Sequence, residues 1–166
     1  MTSGPTMNRI GVVLGRGGHT AQTFSLVDLL GPQFHYIYMV GLMDRLTPTK
    51  IAQEGTLLRV LTPRLRPEDS RIMSAIRTLA TLLLSVFYLL IFRPCVVISC
   101  GTGMTVPVFY AARAVGIKTV FIESMSRVKS LSKTGEILLG KTTLFLVQWK
   151  SLADKLPGVI YGGQLL

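Results

Sequence analysis

The chain has 166 residues, enough for one domain with its own hydrophobic core, and its 18 Lys+Arg against 8 Asp+Glu give a formal net charge of +10. Because 49% of the residues are hydrophobic, this charge favours an anionic membrane surface as partner over nucleic acid, for which no binding motif is found. The two cysteines, Cys95 and Cys100, lie in an apolar run, argue against a zinc site, and are expected to be buried free thiols.

Apolar runs bounded by glycine, proline and charged residues predict strands and helices that alternate along the chain. The strands are predicted at 10–14, 35–40, 57–61, 95–99, 118–122, 143–147 and 159–161. The helices are predicted at 22–30, 48–54, 72–92, 104–115, 133–139 and 151–155. This alternation is typical of an α/β, Rossmann-like parallel sheet with helices on both faces. In such sheets ligands bind at the carboxyl ends of the strands.

The first predicted strand ends in a glycine-rich loop at 15–20 that contains Gly15, Gly17 and Gly18. Glycine permits a turn with positive φ or the close approach of a ligand, and the N-terminus of the following helix attracts phosphate. His19 is a candidate base, because histidine is the residue type suited to proton transfer near neutral pH. Thr20 is expected to cap the helix. The spacing matches neither the dinucleotide-binding nor the P-loop pattern. A tight turn that only lets the helix pack is the structural alternative.

Two further loops with polar side chains follow predicted strands. Gly101, Thr102 and Gly103 form a second glycine loop after the fourth strand, and Glu123 and Arg127 follow the fifth. Glu123 is a candidate to act as a general base, to orient the histidine or to bind a sugar hydroxyl; the alternative is a solvated loop carboxylate. Arg127 is a candidate phosphate ligand, with a surface charge as the alternative.

The segment 72–92 is the most apolar part of the chain. Its polar residues recur at spacings of three and four and share one narrow helical stripe: Ser74, Arg77, Thr78, Thr81 and Ser85. The stretch at 78–92, which no charged residue interrupts, is about 22 Å long, shorter than the roughly 30 Å hydrocarbon core. We expect this helix to lie in the plane of a membrane or against a partner. A buried core helix and a true membrane span are the alternatives.

Four segments resemble the asparagine-linked glycosylation protein 14 family and keep the order of its motifs. They lie at 15–20, 100–107, 121–128 and 145–149. That family is the membrane-associated half of a two-part UDP-GlcNAc transferase that acts on a lipid-linked diphosphate sugar. The sequence is also similar to the N-terminal half of the GlcNAc transferase that makes lipid II. The resemblance implies that 1–166 is a single domain equivalent to the N-terminal, acceptor half of a GT-B glycosyltransferase.

The resemblance also implies roles for the matched positions. His19 and Glu123 match the residues suspected of acid–base catalysis, and the glycine loops match those that hold the acceptor diphosphate. The substrate-binding residues assigned on this basis and on the loop chemistry are Gly15, Arg16, Gly17, Gly18, Thr20, Gly101, Thr102, Gly103 and Arg127. Arg16 stands where the family often has a small residue, so it either adds a phosphate contact or crowds the loop. The resemblance implies neither a metal ion nor a cofactor.

The partners implied by the resemblance are a separate UDP-sugar-binding glycosyltransferase subunit, a lipid-linked diphosphate sugar acceptor and a membrane surface, with no nucleic acid. GT-B catalysis takes place between two domains, so this chain is expected to be inactive alone. Eukaryotic members begin with a transmembrane anchor that has no counterpart in this sequence. Peripheral or monotopic attachment at the cytoplasmic face of the membrane is therefore expected to rest on the helix at 72–92.

The expected function is that of an acceptor-binding, membrane-docking subunit. The heteromeric enzyme would move a sugar, GlcNAc favoured, from a UDP-sugar to a polyprenyl-diphosphate-linked sugar. One alternative is a non-catalytic subunit that recruits and activates an exopolysaccharide glycosyltransferase. A nucleotide-dependent oxidoreductase is disfavoured, because the first glycine loop has the wrong spacing and 38–44 is a poor ribose-binding strand end.

Overall fold

The computed structural model describes residues 8–15, 17–63 and 70–165, and its central element is a sheet of seven parallel strands. The strands are β1 (Arg9–Val13), β2 (His35–Gly41), β3 (Gly55–Val60), β4 (Val96–Ser99), β5 (Lys118–Ile122), β6 (Leu144–Val147) and β7 (Ile160–Tyr161). The helices are α1 (Gly18–Leu30), α2 (Arg71–Phe92), α3 (Thr105–Ala114), α4 (Lys133–Leu138) and α5 (Lys150–Ala153), with a 3₁₀ turn at Pro48–Lys50. The prediction of a Rossmann-like parallel sheet is confirmed.

The strand order is β3-β2-β1-β4-β5-β6-β7, so the winding of the chain reverses between β1 and β4. β1 pairs in parallel with both β2 and β4. At such a reversal the connections from the two central strands run to helices on opposite faces of the sheet and leave a crevice at its carboxyl edge. The topology therefore places both glycine loops where sheets of this class bind their ligands.

Helices cover both faces of the sheet. On one face α1 contributes Val27 to the core. On the other face the remaining helices contribute Leu89, Phe109, Leu138 and Leu152. All five side chains are almost completely buried. Because apolar cores lie above and below the sheet, its central strands are nearly continuous runs of apolar residues rather than alternating ones.

Helix α2 turns its polar stripe towards the protein and its apolar side chains towards solvent. Thr81 and Ser85 are fully buried, and the Thr81 hydroxyl donates to the Leu61 carbonyl oxygen at 2.6 Å. The exposed large side chains of the helix are Ile72, Met73, Ile76, Leu79, Leu83, Phe87, Leu90 and Ile91. A helix on a water-facing surface has the opposite arrangement. The core-helix alternative for 72–92 is therefore wrong.

Several local predictions are wrong. The helix predicted at 48–54 is only a 3₁₀ turn at Pro48–Lys50. Helix α1 begins at Gly18 rather than at residue 22, because Gly17 adopts a φ of 69° and lets the chain enter the helix earlier. Thr20 therefore lies in the first turn and does not cap the helix. Cys100 is a buried free thiol as expected, whereas Cys95 is exposed. Cys95 precedes the first residue of β4 and so lies at the amino edge of the sheet, outside the core.

Candidate functional site

The glycine loops that follow β1 and β4 touch each other. A Cβ atom placed on Gly15 would lie 2.8 Å from the Cβ of Thr102, well inside the 3.5–4.0 Å optimum for carbon contacts. Gly101 has a φ of +89°, a conformation that L side chains rarely adopt. The close approach of the second loop therefore requires glycine at Gly15, and the backbone turn requires it at Gly101.

His19 lies in the first turn of α1, with its imidazole directed at the second glycine loop. Its Nδ1 is 3.1 Å from the carbonyl oxygen of Cys100. A carbonyl oxygen can only accept, so Nδ1 carries the proton in this hydrogen bond. In the neutral imidazole the lone pair then lies on Nε2. The fold thus fixes one tautomer of His19, with its basic nitrogen directed away from the Cys100 carbonyl.

Cys100 contributes its backbone to this arrangement rather than its thiol. Burial raises the pKa of the Cys100 thiol to about 11, although a hydrogen bond with Thr23 acts in the opposite direction. The thiol is therefore protonated at neutral pH and is not a nucleophile. Its burial instead anchors the end of β4, from which the carbonyl oxygen reaches His19.

The carboxylate of Glu123 holds a loop in place. The residue is 1% exposed, and its Oε1 accepts a hydrogen bond from the Ser124 N–H at 2.8 Å. Its Oε2 accepts from both the N–H of Ser132 at 2.9 Å and the Ser132 hydroxyl at 3.0 Å. The Ser132 Oγ in turn accepts from the Gly135 N–H and caps α4. Glu123 therefore connects the end of β5 to the start of α4.

A cavity of about 580 Å³, here called the central cavity, opens between these loops. It brings together six of the predicted site residues: Gly15, His19, Gly101, Thr102, Gly103 and Arg127. Other residues complete its lining: Gly41, Asp44, Thr62, Pro63, Met104, Ser132, Lys133 and Thr134. Glu123 is not part of this lining and reaches the central cavity only through Ser132.

The charge at the central cavity is mainly positive. Arg127 and Lys133 line it, as does the buried Asp44. The Asp44 carboxylate accepts hydrogen bonds from the N–H groups of Leu46 and Thr47 at 3.2 and 3.0 Å, so the loop that carries it partly neutralises it. Two cationic side chains beside glycine N–H groups favour a ligand that carries phosphate.

The remaining predicted residues lie beside the central cavity. Gly17 and Thr20 line a second cavity of about 500 Å³, here called the side cavity, which shares Asp44 with the first. Gly18 lines neither of these two cavities. Arg16 lies outside the described residues. The structure therefore divides the first glycine loop between two adjoining spaces.

Two buried glutamines that sequence reasoning missed connect the loops. The Oε1 of Gln22 on α1 accepts from the Met125 N–H at 2.9 Å and from the Nε2 of Gln148 at 2.6 Å. The same Nε2 donates to the Glu123 carbonyl oxygen at 3.0 Å. The position of Gln148 directly after an apolar strand was an available signal, whereas Gln22 resembles any polar residue of a helix. Together they join α1 to the ends of β5 and β6.

A family model described as "Oligosaccharide biosynthesis protein Alg14 like" matches residues 10–165. The chain belongs to this family. The match covers nearly all of the chain, including every loop that borders the central cavity. The resemblance inferred from the four sequence segments is therefore confirmed.

Curated relatives carry a common name. The "UDP-N-acetylglucosamine transferase subunit ALG14" of Mus musculus is 29% identical over 182 residues, which cover 95% of this chain and 83% of that protein. The protein of the same name from Candida albicans is 31% identical over 173 residues, which cover 95% of this chain and 78% of that protein. The similarity therefore extends over most of this chain and most of each relative.

Solved structures share the fold at low sequence identity. MurG of Acinetobacter baumannii superposes with a TM-score of 0.71 at 13% identity, over 95% of this chain and 44% of that one. A UDP-N-acetylglucosamine 2-epimerase superposes with a TM-score of 0.70 at 11% identity, over 96% of this chain and 49% of that one. The chain spans about half the length of these proteins. The prediction of a Rossmann-like half of a GT-B enzyme is confirmed.

Proposed function

We propose that this chain is the acceptor-binding subunit of a two-chain glycosyltransferase. The enzyme moves a sugar, GlcNAc favoured, from a UDP-sugar held by a separate chain to a polyprenyl-diphosphate-linked sugar. The names of the curated relatives support the transferase class and the existence of a partner. On this proposal the chain alone is inactive.

His19 is the proposed general base, and its fixed tautomer is the observation that carries the proposal. The Cys100 carbonyl holds the Nδ1 proton, so Nε2 is able to take the proton of an acceptor hydroxyl in the central cavity. The hydroxyl oxygen forms a bond to the anomeric carbon of the donor sugar. The bond from that carbon to the β-phosphate oxygen breaks, and UDP leaves with the electron pair.

The central cavity is the proposed site of the acceptor sugar and its diphosphate. Arg127 and Lys133 supply positive charge, and the Gly101 to Gly103 loop supplies backbone N–H groups. Glu123 takes a positioning role in this proposal, because its two carboxylate oxygens already accept three hydrogen bonds from the loop that ends in Ser132. Its function is to hold that side of the cavity in place.

Membrane docking is assigned to the outer face of α2. Among the described residues, α2 is the helix that is long and apolar enough to cross a membrane. Its inner stripe is bonded to the domain, through Thr81 to the Leu61 carbonyl oxygen and through the Tyr88 hydroxyl to the Arg59 carbonyl oxygen. A helix attached along its length cannot be surrounded by lipid without drawing the sheet into the bilayer. We therefore place α2 in the membrane plane.

The proposed membrane face is the cytoplasmic one. The net charge of +10 matches the anionic lipids of the cytoplasmic leaflet. Arg71 and Arg93 are exposed at the two ends of α2, where their side chains can reach headgroups while the apolar face contacts acyl chains. This orientation keeps the domain in the aqueous phase and presents it to a lipid-linked acceptor.

Reconstitution tests the proposed function. The full chain is mixed with its partner chain, a UDP-sugar and a polyprenyl-diphosphate-linked sugar in anionic vesicles, and sugar transfer is measured. His19→Ala in the complex is expected to lower kcat by about 10² to 10⁴, the usual contribution of a general base. His35→Gln is the matched control, because the other histidine contacts Thr56 on the neighbouring strand and does not line the central cavity.

The outcome separates the proposed role from the alternative. If the His19→Ala complex keeps full turnover, the catalytic role is wrong. If the partner also transfers sugar without this chain and is only accelerated by it, the chain is a recruiting and activating subunit. Full transfer by this chain in isolation would contradict the assignment of the donor to a second polypeptide.

A further inference from the structure

The proposed function assigns no role to the side cavity. It lies between the first turn of α1 and the segment 43–50, and it adjoins the central cavity at Asp44. Its apolar lining consists of Ala21, Phe24, Met43 and Leu46, and its cationic lining of Arg45 and Lys50. Apolar walls beside two cations are suited to an amphiphile with an anionic head.

The anionic end of such a ligand has a defined place at α1. Gly17 caps this 13-residue helix with a φ of 69°, and the first N–H groups of a helix have no partner within it. Thr20 lines the same cavity and is 5% exposed, yet its Oγ1 has no hydrogen-bond partner among the described residues. A buried hydroxyl without a partner is costly. A phosphate oxygen at the helix N-terminus would supply an acceptor.

The apolar end of the ligand also has a place. Met43 and Leu46 are 67% and 74% exposed and form the outer edge of the side cavity, whereas Phe24 is partly buried deeper in it. Exposed apolar side chains at the opening of a cavity are covered when an apolar chain lies across them. A hydrophilic ligand such as a sugar or a nucleotide would leave these apolar side chains exposed to water.

We propose that the side cavity binds the diphosphate-proximal isoprenoid units of the acceptor, with the lipid-linked phosphate at Gly17 and Thr20 and the hydrocarbon on Phe24, Met43 and Leu46. The sugar-linked phosphate stays in the central cavity. This inference rests on the proposed function and assigns the lipid portion of its substrate to a site separate from that of the sugar. The shared residue Asp44 marks the boundary. One acceptor molecule then spans both cavities, with its sugar beside the histidine.

Binding of a short isoprenyl diphosphate to the full chain tests the inference directly. A 15-carbon isoprenyl diphosphate is titrated calorimetrically without detergent, beside inorganic pyrophosphate and the corresponding isoprenyl alcohol. We expect the isoprenyl diphosphate to bind more tightly than either fragment. Leu46→Ser is expected to weaken its binding about tenfold, as expected for loss of a partly covered leucine, and to leave pyrophosphate binding unchanged. Lys50→Gln is expected to weaken both.

Leu29→Ser is the matched control. Leu29 is 75% exposed, like Leu46, but it lies near the far end of α1 and outside the side cavity. Equal effects of the two leucine variants, or no effect of Leu46→Ser, would overturn the assignment. Equally tight binding of a straight-chain alkyl phosphate with the same sensitivity to Leu46→Ser would show a general amphiphile site and would also overturn it.

Kinetics in the complex separates this inference from the proposed function. Leu46→Ser is expected to raise KM about tenfold for an isoprenyl-diphosphate sugar and to leave KM unchanged for a methyl-diphosphate sugar. If both acceptors are used and neither KM changes, the side-cavity assignment fails while the proposed function stands. If no lipid-linked acceptor is glycosylated by the wild-type complex, the proposed function itself fails.

Discussion

The Oε2 atom of Glu123 accepts hydrogen bonds from both the backbone N–H and the hydroxyl of Ser132, at 2.9 and 3.0 Å. This pair joins the end of β5 to the N-cap of α4, and the residues immediately around it, including Lys133, line the central cavity. The carboxylate is buried, so its hydrogen bonds stabilise the conformation of the loop rather than bind a solvent-exposed ligand. Glu123 therefore acts on the central cavity indirectly, through the loop that its carboxylate holds in place.

The positioning role of Glu123 predicts a specific kinetic pattern for Glu123→Gln. Because an amide has one accepting oxygen and its nitrogen only donates, the variant cannot accept from both Ser124 and Ser132, and the loop is expected to lose part of its anchor. The free energy of unfolding should fall by about 1–3 kcal/mol, and KM for the acceptor should rise more than kcat falls. Urea unfolding and steady-state kinetics of the complex measure the two effects. A loss of kcat alone, with unchanged stability, would instead indicate direct catalysis. Glu54→Gln, at an exposed position, is the control.

The contact between the glycine loops predicts that Gly15→Ala separates them. A Cβ at Gly15 would lie 2.8 Å from the Cβ of Thr102, so the second loop must shift, at a typical overpacking cost of about 1–3 kcal/mol. Thermal unfolding of the variant measures this cost. Gly103→Ala is the matched control for stability, since a Cβ there meets no atom within 4 Å. Equal stability of the two variants would contradict the described loop contact.

The exposure of the two cysteines predicts selective labelling. Cys95 is exposed and Cys100 is buried, and burial raises the pKa of the Cys100 thiol to about 11. A thiol reagent at pH 8 is expected to modify Cys95 in the native chain and Cys100 only after unfolding. Mass spectrometry of tryptic peptides identifies the modified residue. Native Cys95→Ser should remain unlabelled; rapid labelling of Cys100 in that variant would show that the end of β4 is open.

The raised pKa of Cys100 also predicts a loss of stability in alkali. The thiol pKa is about 11 in the folded chain against 9.0 as its ordinary value, so the unfolded state releases its proton first. The contribution of the protonated Cys100 thiol to the free energy of unfolding is complete below pH 9. It is lost as the pH rises towards 11, by up to about 1.4 kcal/mol per pH unit. Urea midpoints at pH 7–11 for the wild type and Cys100→Ala measure it. Parallel curves for the two proteins would contradict the shift.

Because α2 presents its apolar side chains to solvent, we predict that one charge on this face reduces membrane binding. Leu83 is exposed at the middle of the apolar face, and burying a carboxylate in a bilayer is strongly unfavourable. Leu83→Glu is expected to reduce partitioning onto anionic vesicles at least tenfold, as measured by sedimentation. Leu29→Glu introduces the same charge at an equally apolar, exposed position on α1 and should bind like the wild type. If both variants bind normally, α2 does not contact lipid.

Local sequence signals identified the order of the strands and helices and six of the residues that line the central cavity. The predicted strand at 118–122 coincides with β5, and the predicted helix at 72–92 differs from α2 by one residue. Such segments are readable because apolar periodicity and glycine or proline boundaries act within a few residues. Glycines that follow strands in a parallel sheet converge at one edge, so His19 and Gly101 could be expected to meet.

Contacts between distant segments could not be predicted in the same way. The hydrogen bond that selects the His19 tautomer comes from Cys100, 81 residues away, and Gln148 joins Gln22 across 126 residues. The stripe on α2 was visible in the sequence, but the direction it faces depends on contacts such as that between Thr81 and Leu61. Periodicity shows that two faces of a helix differ, and only packing decides which of them is buried.

The sequence alone determined the α/β class, the family resemblance and the candidate loops, because these follow from local composition and the order of motifs. The tertiary structure alone decided that Glu123 lies behind the cavity wall, that Thr20 belongs to a side cavity, and that α2 presents its apolar face outward. These outcomes depend on which side chains share a hydrogen bond or a cavity after the sheet has formed. Such contacts arise from three-dimensional packing and produce no periodic pattern in the sequence.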